Sequence, residues 1–190
     1  MRETSKLNEF RIKNGYDSYF KGHGIDIGCD DDVLNKNVFK NIIDVHAYDK
    51  KIDQSFDAEF CENIEDNKYD FVYSSHCLEH MKDPYIAYEN WIRICNRGGY
   101  LIVAVPHEIF YEKCKWPSMF NEDHKTSWTY EFKSNLINSI HTIDFLQNFN
   151  KLVDIISIQT ILVNFDFNKF QEDQTQRDAI VQIEFVTRKL

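Results

Sequence analysis

Two acidic residues and a glycine stand at a spacing that suits the binding of a nucleoside. Asp26 and Gly28 lie at the end of a short apolar run that begins at Gly24, and Asp49 follows about twenty residues later. A glycine at such a turn lets the backbone approach a ligand, and the later carboxylate can accept hydrogen bonds from ribose hydroxyls. The pattern predicts a nucleoside-containing ligand at the carboxyl edge of a parallel sheet.

Three histidines form a second group of residues that could do chemistry. His76 follows a β-rich run over residues 69–74, and His107 and His124 follow the apolar run 100–105. Loops at the carboxyl ends of parallel strands bind ligands, and a histidine of near-neutral pKa can accept a proton from a substrate. We therefore expect His76, His107 and His124 to be the catalytic candidates.

Residues 76–80 also fit the zinc-peptidase pattern H-x-x-E-H. That function requires a helix with both histidines on one face and a third ligand downstream. Here the segment directly follows a predicted strand and lies just before Pro84, which favours a loop ordered by Glu79 and His80. We expect no metal site.

Composition limits the alternatives. The chain has 190 residues, of which 43% are hydrophobic, which is enough for one core and predicts a single domain over residues 1–190. A net charge of -9 disfavours general binding to nucleic acids. The polar N-terminal segment and the absence of a long apolar run predict neither a secretory signal nor a membrane span. Five widely spaced cysteines are typical of reduced thiols and predict a cytoplasmic location.

Strand and helix signals alternate along the chain. The predicted strands cover residues 24–27, 41–45, 56–60, 69–74, 100–105, 152–163 and 179–187. Helices are predicted over 85–95, with Asp83 as N-cap, Pro84 at the first position and a glycine end at 97–99, and over 130–148. Alternating βα units indicate a parallel sheet with covered faces, and the short last connection indicates an antiparallel final strand.

Four segments resemble class I S-adenosylmethionine-dependent methyltransferases, in particular a small bacterial type. They are residues 24–29, 46–49, 69–80 with the letters SSHCLEH, and 97–103, and residues 116–125 also look like this subgroup. Their order and spacing agree with the family as well as their letters, and the resemblance covers residues 22–130.

The resemblance implies an α/β fold: a Rossmann-like, seven-stranded, mostly parallel sheet with helices on both faces and an antiparallel last strand. It divides the domain into a lead-in (1–21), a cofactor-binding core (22–105), a substrate-side loop and helix (106–150) and closing strands (151–190). The implied cofactor is S-adenosyl-L-methionine, which leaves as S-adenosyl-L-homocysteine.

The resemblance also implies roles for single residues. Asp49 would bind the ribose, with Asp44 as the competing choice, and Asp57 and Ala58 would border the adenine. Ser75 would face the methionine part of the cofactor. The full set of implied cofactor-binding residues is Asp26, Gly28, Cys29, Asp49, Asp57, Ala58 and Ser75.

The chain departs from the family at Asp30 and Asp32, where the first motif usually has glycines. An active methyltransferase for a small acceptor, such as a sugar or a surface-polysaccharide precursor, is the first hypothesis. A noncatalytic, methyltransferase-like partner subunit with a degenerate cofactor site is the second, and homo- or hetero-oligomers stay open. A dehydrogenase would need a complete G-x-G-x-x-G, which the chain lacks.

Overall fold

The computed structural model describes residues 3–190, so the first two residues of the predicted lead-in lie outside the described part. The strands are β1 (Gly22–Ile27), β2 (Ile42–Tyr48), β3 (Tyr69–Ser75), β4 (Cys95–Pro106), β5 (Ser127–Thr129), β6 (Ser139–His141), β7 (Val153–Val163) and β8 (Ile180–Lys189). Within residues 3–190, six of them form one sheet in the order β2-β1-β3-β4-β8-β7, and β5 pairs with β6 separately.

The direction of the strands identifies the type of sheet. β1 is parallel to β2 and to β3, and β3 is parallel to β4. The last strand, β8, lies between β4 and β7 and is antiparallel to both. This arrangement confirms the predicted Rossmann-like α/β fold with a mostly parallel sheet and an antiparallel last strand. The predicted number of seven strands is wrong by one for the central sheet within residues 3–190.

The strand predicted over residues 56–60 is replaced by turns. The carboxylate of Asp53 accepts a hydrogen bond from the N–H of Ser55 at 2.9 Å, and that of Asp57 accepts one from the N–H of Glu59 at 2.9 Å. These local side-chain acceptors take the backbone donors that a strand would offer to a neighbour.

The α-helices of the described residues are α1 (Glu3–Lys6), α2 (Asn8–Lys13), α3 (Pro84–Ile94) and α4 (Thr142–Gln147). None of the helices in residues 3–190 is long and apolar enough to cross a membrane. In α3 the predicted N-terminus is confirmed, because the carboxylate of Asp83 accepts from the N–H groups of Tyr85 and Ile86. The predicted glycine end is wrong, since β4 begins at Cys95 and contains Gly98.

The long helix predicted over residues 130–148 is also wrong: β6 and the short α4 occupy its second half. The buried carboxylate of Glu108 accepts hydrogen bonds from the hydroxyls of Ser127, Ser134 and Ser139. Three hydroxyls gathered on one buried charge hold this segment in an irregular path that a helix could not follow.

Alternate residues of the central strands pack on opposite faces of the sheet. Val72 and Leu101 belong to a core cluster with Trp91 of α3 and Phe145 of α4. Phe71, Tyr73 and Ile102 point the other way and pack with Tyr16, Phe20 and Phe39. The guanidinium of Arg11 in α2 lies 4.9 Å from the ring centre of Tyr73. Helices thus cover both faces, as predicted, although irregular chain covers much of the second.

Candidate functional site

The carboxyl ends of β1, β2 and β3 meet at one edge of the sheet, where a two-part depression opens. We call its larger part, of about 610 Å³, the outer cleft, and its smaller part, of about 220 Å³, the inner pocket. The outer cleft is lined mainly by Tyr48, Asp49, Lys51, Phe56, Asp57, Ala58, Cys77, Met81 and Asp123. The inner pocket is lined mainly by Asp26, Cys29, Asp32, Ser75, Glu79, Tyr111, Asn121 and His124. Gly28, Asp30, His76 and His80 border both parts, which are therefore continuous.

Gly28 forms the turn between the two parts. Its φ of +73° lies in the left-handed region, and a Cβ placed on it would stand 2.4 Å from the Sγ of Cys77. Both the backbone conformation and the contact therefore require glycine. The missing side chain leaves the backbone open to the cleft, as a closely bound ligand needs.

The two aspartates that replace the family's glycines are engaged by neighbours. The carboxylate of Asp30 accepts a hydrogen bond from the ammonium of Lys51 at 2.6 Å. That of Asp32 accepts from the backbone N–H and the hydroxyl of Ser5. The charge of Asp30 is therefore balanced by a cation, whereas that of Asp32 is stabilised by two neutral hydrogen-bond donors.

Asp26, the last residue but one of β1, has a buried carboxyl group. Its Oδ2 accepts a hydrogen bond from the N–H of Leu34 at 2.7 Å, whereas its Oδ1 has no hydrogen-bond partner within residues 3–190. Burial raises the pKa of Asp26 to about 7. A cationic amino group in the inner pocket would satisfy this oxygen and favour the charged carboxylate.

Asp49, directly after β2, is held by two backbone donors in the wall of the outer cleft. Its Oδ1 accepts from the N–H of Lys51 at 2.8 Å, and its Oδ2 accepts from the N–H of Asp30 at 3.0 Å. Each carboxylate oxygen has a second lone pair, so the fixed group can still accept hydrogen bonds from a pair of hydroxyls. The competing residue, Asp44, is exposed and pairs with His23 instead.

Asp57 and Ala58 line the outer cleft. The carbonyl of Ala58 accepts a hydrogen bond from the indole N–H of Trp91 at 2.7 Å, which anchors the segment to α3. The rings of Tyr48 and Phe56 stack with centres 4.3 Å apart. Sequence reasoning missed these two aromatic residues, although the position of Phe56 directly before Asp57 was an available signal.

Ser75 and Cys29 border the inner pocket. The Ser75 hydroxyl is buried and has no hydrogen-bond partner within residues 3–190. Burial raises the pKa of the Cys29 thiol to about 12, so it stays protonated near neutral pH. Ser75 thus has a free polar atom for a ligand, whereas Cys29 contributes an uncharged wall.

Glu79 lies at the centre of a group of histidines. It is fully buried, and its Oε1 lies 3.6 Å from His76 Nδ1 and 3.8 Å from the Nε2 atoms of His80 and His124. Burial alone would raise the pKa of Glu79, but the histidines lower it overall. Burial alone would lower the pKa of His76, but Glu79 raises it overall. Sequence analysis gave Glu79 and His80 a structural role only.

His76 and His124 approach the pocket from different loops. His76 directly follows β3 with a φ of +54°, and its Nε2 lies 3.2 Å from the amide oxygen of Gln182. His124 is buried, and its Nδ1 donates a hydrogen bond to Glu112 at 2.6 Å. Because His80 ends a single 3₁₀ turn, Leu78–His80, and His76 precedes it, the two do not share a helix face. The arrangement that a zinc peptidase requires is absent from the described residues.

His107 is the predicted site residue that the structure does not bring to the depression. Its Nδ1 accepts a hydrogen bond from the N–H of Ile109, and its Nε2 donates one to Glu131 at 3.2 Å. Burial lowers the pKa of His107. Both ring nitrogens are hydrogen-bonded, and His107 lines neither part of the depression, so it does not contact a ligand bound there. The structure brings the other predicted residues together.

The fold and the cleft define an α/β protein with a ligand-sized depression at the carboxyl ends of its parallel strands. Residues 15–154 match the family model described as a methyltransferase domain, so the chain belongs to this family. This match, together with the solved structures described below, confirms the predicted class, an S-adenosylmethionine-dependent methyltransferase, and the predicted cofactor. None of the curated proteins is significantly similar to the chain in sequence.

Solved structures show the same fold at low sequence identity. A chain of the complex between the Haloferax volcanii Trm112 methyltransferase activator and a methyltransferase is 14% identical, with a TM-score of 0.63 and coverage of 99% of this chain and 98% of that one. An S-adenosylmethionine-dependent methyltransferase from Listeria monocytogenes is 14% identical, with a TM-score of 0.63 and coverage of 98% and 99%. The N-methyltransferase NodS from Bradyrhizobium japonicum, solved with S-adenosyl-L-homocysteine, is 10% identical, with a TM-score of 0.58 and coverage of 97% and 86%.

Proposed function

We propose that this chain transfers a methyl group from S-adenosylmethionine to a small, hydroxyl-rich acceptor, with a sugar or a surface-polysaccharide precursor as the substrate class. The observation that carries the proposal is the continuity of the outer cleft with a small polar pocket at Gly28 and His76. This pocket of about 220 Å³ must also receive the methionine end of the cofactor beside Asp26 and Ser75, so it leaves room only for a small acceptor. Its carboxylate, imidazole, amide and phenol groups suit hydroxyls.

The residues present fit the cofactor. In this proposal Asp57 and Ala58 border the adenine, Asp49 accepts from the ribose hydroxyls, and Gly28 lets the backbone approach. The unpartnered Oδ1 of Asp26 supports a contact with the amino group of the cofactor, because a cationic amino group would satisfy this oxygen. Ser75 supplies a hydroxyl at the same end.

When bound, S-adenosylmethionine supplies an electrophilic methyl group. The chain must align an acceptor atom with that group, exclude water and take up a proton where the acceptor is a hydroxyl. His76 borders both parts of the depression, and its contact with Glu79 positions its ring. We assign His76 to the proton and His124 to the acceptor side of the pocket.

The alternative, a noncatalytic partner subunit, rests on Asp30 and Asp32. The contacts of these carboxylates with Lys51 and Ser5 weaken that motive. The structural neighbour from Haloferax volcanii was solved in complex with an activator protein, so a hetero-oligomer stays part of the alternative. A cytoplasmic location is part of the proposal and rests on five unpaired cysteines, and the net charge of -9 argues against a nucleic-acid substrate.

Calorimetric titration of the purified protein with S-adenosylmethionine and S-adenosylhomocysteine tests the proposal. We expect one site of micromolar affinity, followed by methyl transfer in a screen of sugars and sugar nucleotides. Absence of binding at millimolar concentrations of both ligands would overturn the proposal that the chain is an active enzyme and would favour the noncatalytic partner subunit. Binding without transfer to any hydroxyl-bearing acceptor, with transfer to an amine instead, would overturn the substrate class alone.

A further inference from the structure

Glu79, His80 and His124 bring three potential ligand atoms together in the wall of the inner pocket. One carboxylate oxygen and two imidazole nitrogens all lie within 4.8 Å of one another. Glu79 and His124 are buried, and His80 is partly exposed toward the cleft. Neither carboxylate oxygen of Glu79 has a hydrogen-bond partner within residues 3–190. A buried carboxylate without hydrogen bonds is strongly unfavourable unless a positive charge neutralises it.

The distances within the group fit a shared ion better than direct hydrogen bonds. Charge-assisted N–H···O bonds are about 2.7–2.9 Å long. The Nε2 atoms of His80 and His124 each lie 3.8 Å from Oε1 of Glu79, which is too long for such a bond. Two donors that each stand ~2.1 Å from one ion are roughly 3.3–3.6 Å apart at tetrahedral to trigonal angles. The two carboxylate–imidazole separations therefore need to shorten by only a few tenths of an ångström around an ion. The three atoms lie within 4.8 Å of one another, so the widest separation needs to close by at most roughly 1.3 Å.

Both histidines are also oriented as metal ligands usually are. His124 donates its Nδ1–H to the buried Glu112 at 2.6 Å, and His80 donates its Nδ1–H to Asp123 at 3.1 Å. A carboxylate on one ring nitrogen fixes the tautomer, so that the other nitrogen carries a lone pair. In both residues that other nitrogen, Nε2, is the one that faces Glu79.

The backbone fixes the two loops that supply these ligands. The carbonyl of Glu79 accepts hydrogen bonds from the N–H groups of Lys125 at 2.7 Å and Thr126 at 3.3 Å. The loop that contains His124 is thereby tied to the loop that contains Glu79 and His80. The ligands are held near one another before any ion arrives, which reduces the ordering required on binding.

We propose that Glu79 Oε1, His80 Nε2 and His124 Nε2 bind a divalent transition-metal ion of the zinc class. Two imidazoles and one carboxylate suit such ions, and three protein ligands leave a coordination position open toward the pocket. Resting on the proposed function, the open position would receive an oxygen atom of the acceptor. His124 would then hold the acceptor through the ion, which separates its role from that of His76.

The test measures zinc binding by tag-free protein after treatment with a chelator. All variants carry Cys114→Ser, because Cys114 is the exposed cysteine and could bind zinc on its own. We expect one equivalent of zinc per chain, and at least about 100-fold weaker binding in His80→Gln and His124→Gln. Glu112→Gln, which removes only the carboxylate behind His124, should weaken binding about 10- to 100-fold. His23→Gln, at an exposed pair with Asp44, is the matched control and should bind as the parent does.

Equal zinc affinity in the parent, His80→Gln and His124→Gln would overturn the site, as would the absence of binding to the parent. Glu79→Gln alters a fully buried group and could unfold the chain, so the partly exposed His80 carries the test. Unfolding by heat shows that each variant is folded. Binding of S-adenosylhomocysteine after chelation is measured separately. A parent protein that binds zinc but not S-adenosylhomocysteine would reject the proposed function alone. A parent protein that binds S-adenosylhomocysteine but not zinc would reject the metal site alone.

Discussion

The ammonium of Lys51 lies 2.6 Å from the carboxylate of Asp30, across the turn where the methyltransferase family usually has glycine. Asp30 has a φ of +46°, so the chain keeps a glycine-like conformation without the glycine. Asp49 joins the two residues, since it accepts from the backbone N–H groups of both. The charge that replaces the glycine is thus balanced by the loop that follows β2, where Asp49 is proposed to bind the ribose.

This relationship predicts that Lys51 affects cofactor binding only through Asp30. We expect Lys51→Ala to weaken S-adenosylhomocysteine binding about two- to five-fold, because an exposed pair is worth little. In an Asp30→Gly background the same substitution should have no effect. Calorimetry on the four proteins of this double-mutant cycle measures the coupling. Lys51→Ala effects of equal size in both backgrounds would show that Lys51 acts on the ligand directly.

Asp49 should be the carboxylate on which cofactor binding depends. We expect Asp49→Ala to weaken S-adenosylhomocysteine binding by about 1–3 kcal/mol, because the hydrogen bonds of a fixed acceptor to ribose hydroxyls are lost. Asp44→Ala, within the strand β2 that precedes Asp49 but exposed and paired with His23, is the control and should bind normally. Calorimetric titration checks both, and a larger effect at Asp44 would move the ribose site.

Gly28 should be required for stability as well as binding. In Gly28→Ala the new Cβ would meet Cys77 Sγ at 2.4 Å, and a φ of +73° disfavours alanine. We expect a loss of about 2–5 kcal/mol in the free energy of unfolding, from the strain and the overpacking together. Gly15 has a similar φ of +75° but nothing within 4 Å, so Gly15→Ala should lose only about 1–2 kcal/mol. Denaturant unfolding of both variants separates the contact from the backbone strain.

The secondary-structure elements that the sequence predicts correctly are those that depend on local patterns of residues. The strands β1 to β4 follow apolar runs, and α3 begins where Asp83 and Pro84 place it. The predictions for residues 56–60 and 130–138 are wrong because side-chain carboxylates accept hydrogen bonds there that override the local preference. Asp57 accepts from the N–H of Glu59, and Glu108 accepts from the hydroxyl of Ser134. Such bonds depend on partners that the pattern of apolar residues does not reveal.

Some residues of the candidate site can likewise be placed from the sequence, and others cannot. Asp26, Gly28 and Asp49 lie on consecutive strand ends, so their positions follow from topology once the parallel sheet is recognised. His107 also follows a strand, but the turn after β4 directs both its nitrogens to neighbours. The approach of His124 to Glu79 depends on a loop folding back over a distance of more than forty residues, and no local signal encodes it.

Asp26 should give the protein a characteristic dependence on pH. Its folded pKa of about 7 lies above the usual value of a free carboxyl, so the folded state binds this proton more tightly than the unfolded state does. Its contribution to stability is therefore fully present at pH below about 4, and it is lost as the pH rises to 7. Asp26→Asn keeps an acceptor for the N–H of Leu34 and removes the titration, so its unfolding free energy should fall less across this range.

Cofactor binding should show the opposite trend if Asp26 meets the amino group of the cofactor. The charged carboxylate is the better partner for a cation, so affinity for S-adenosylhomocysteine should rise as the pH passes through 7, and binding should release a proton. Calorimetry in buffers of different ionisation enthalpy measures that proton. Asp26→Asn should bind more weakly at pH 8, with no proton released from this position. A variant that keeps the proton release of the parent would assign it to another group, with His76 the first to examine.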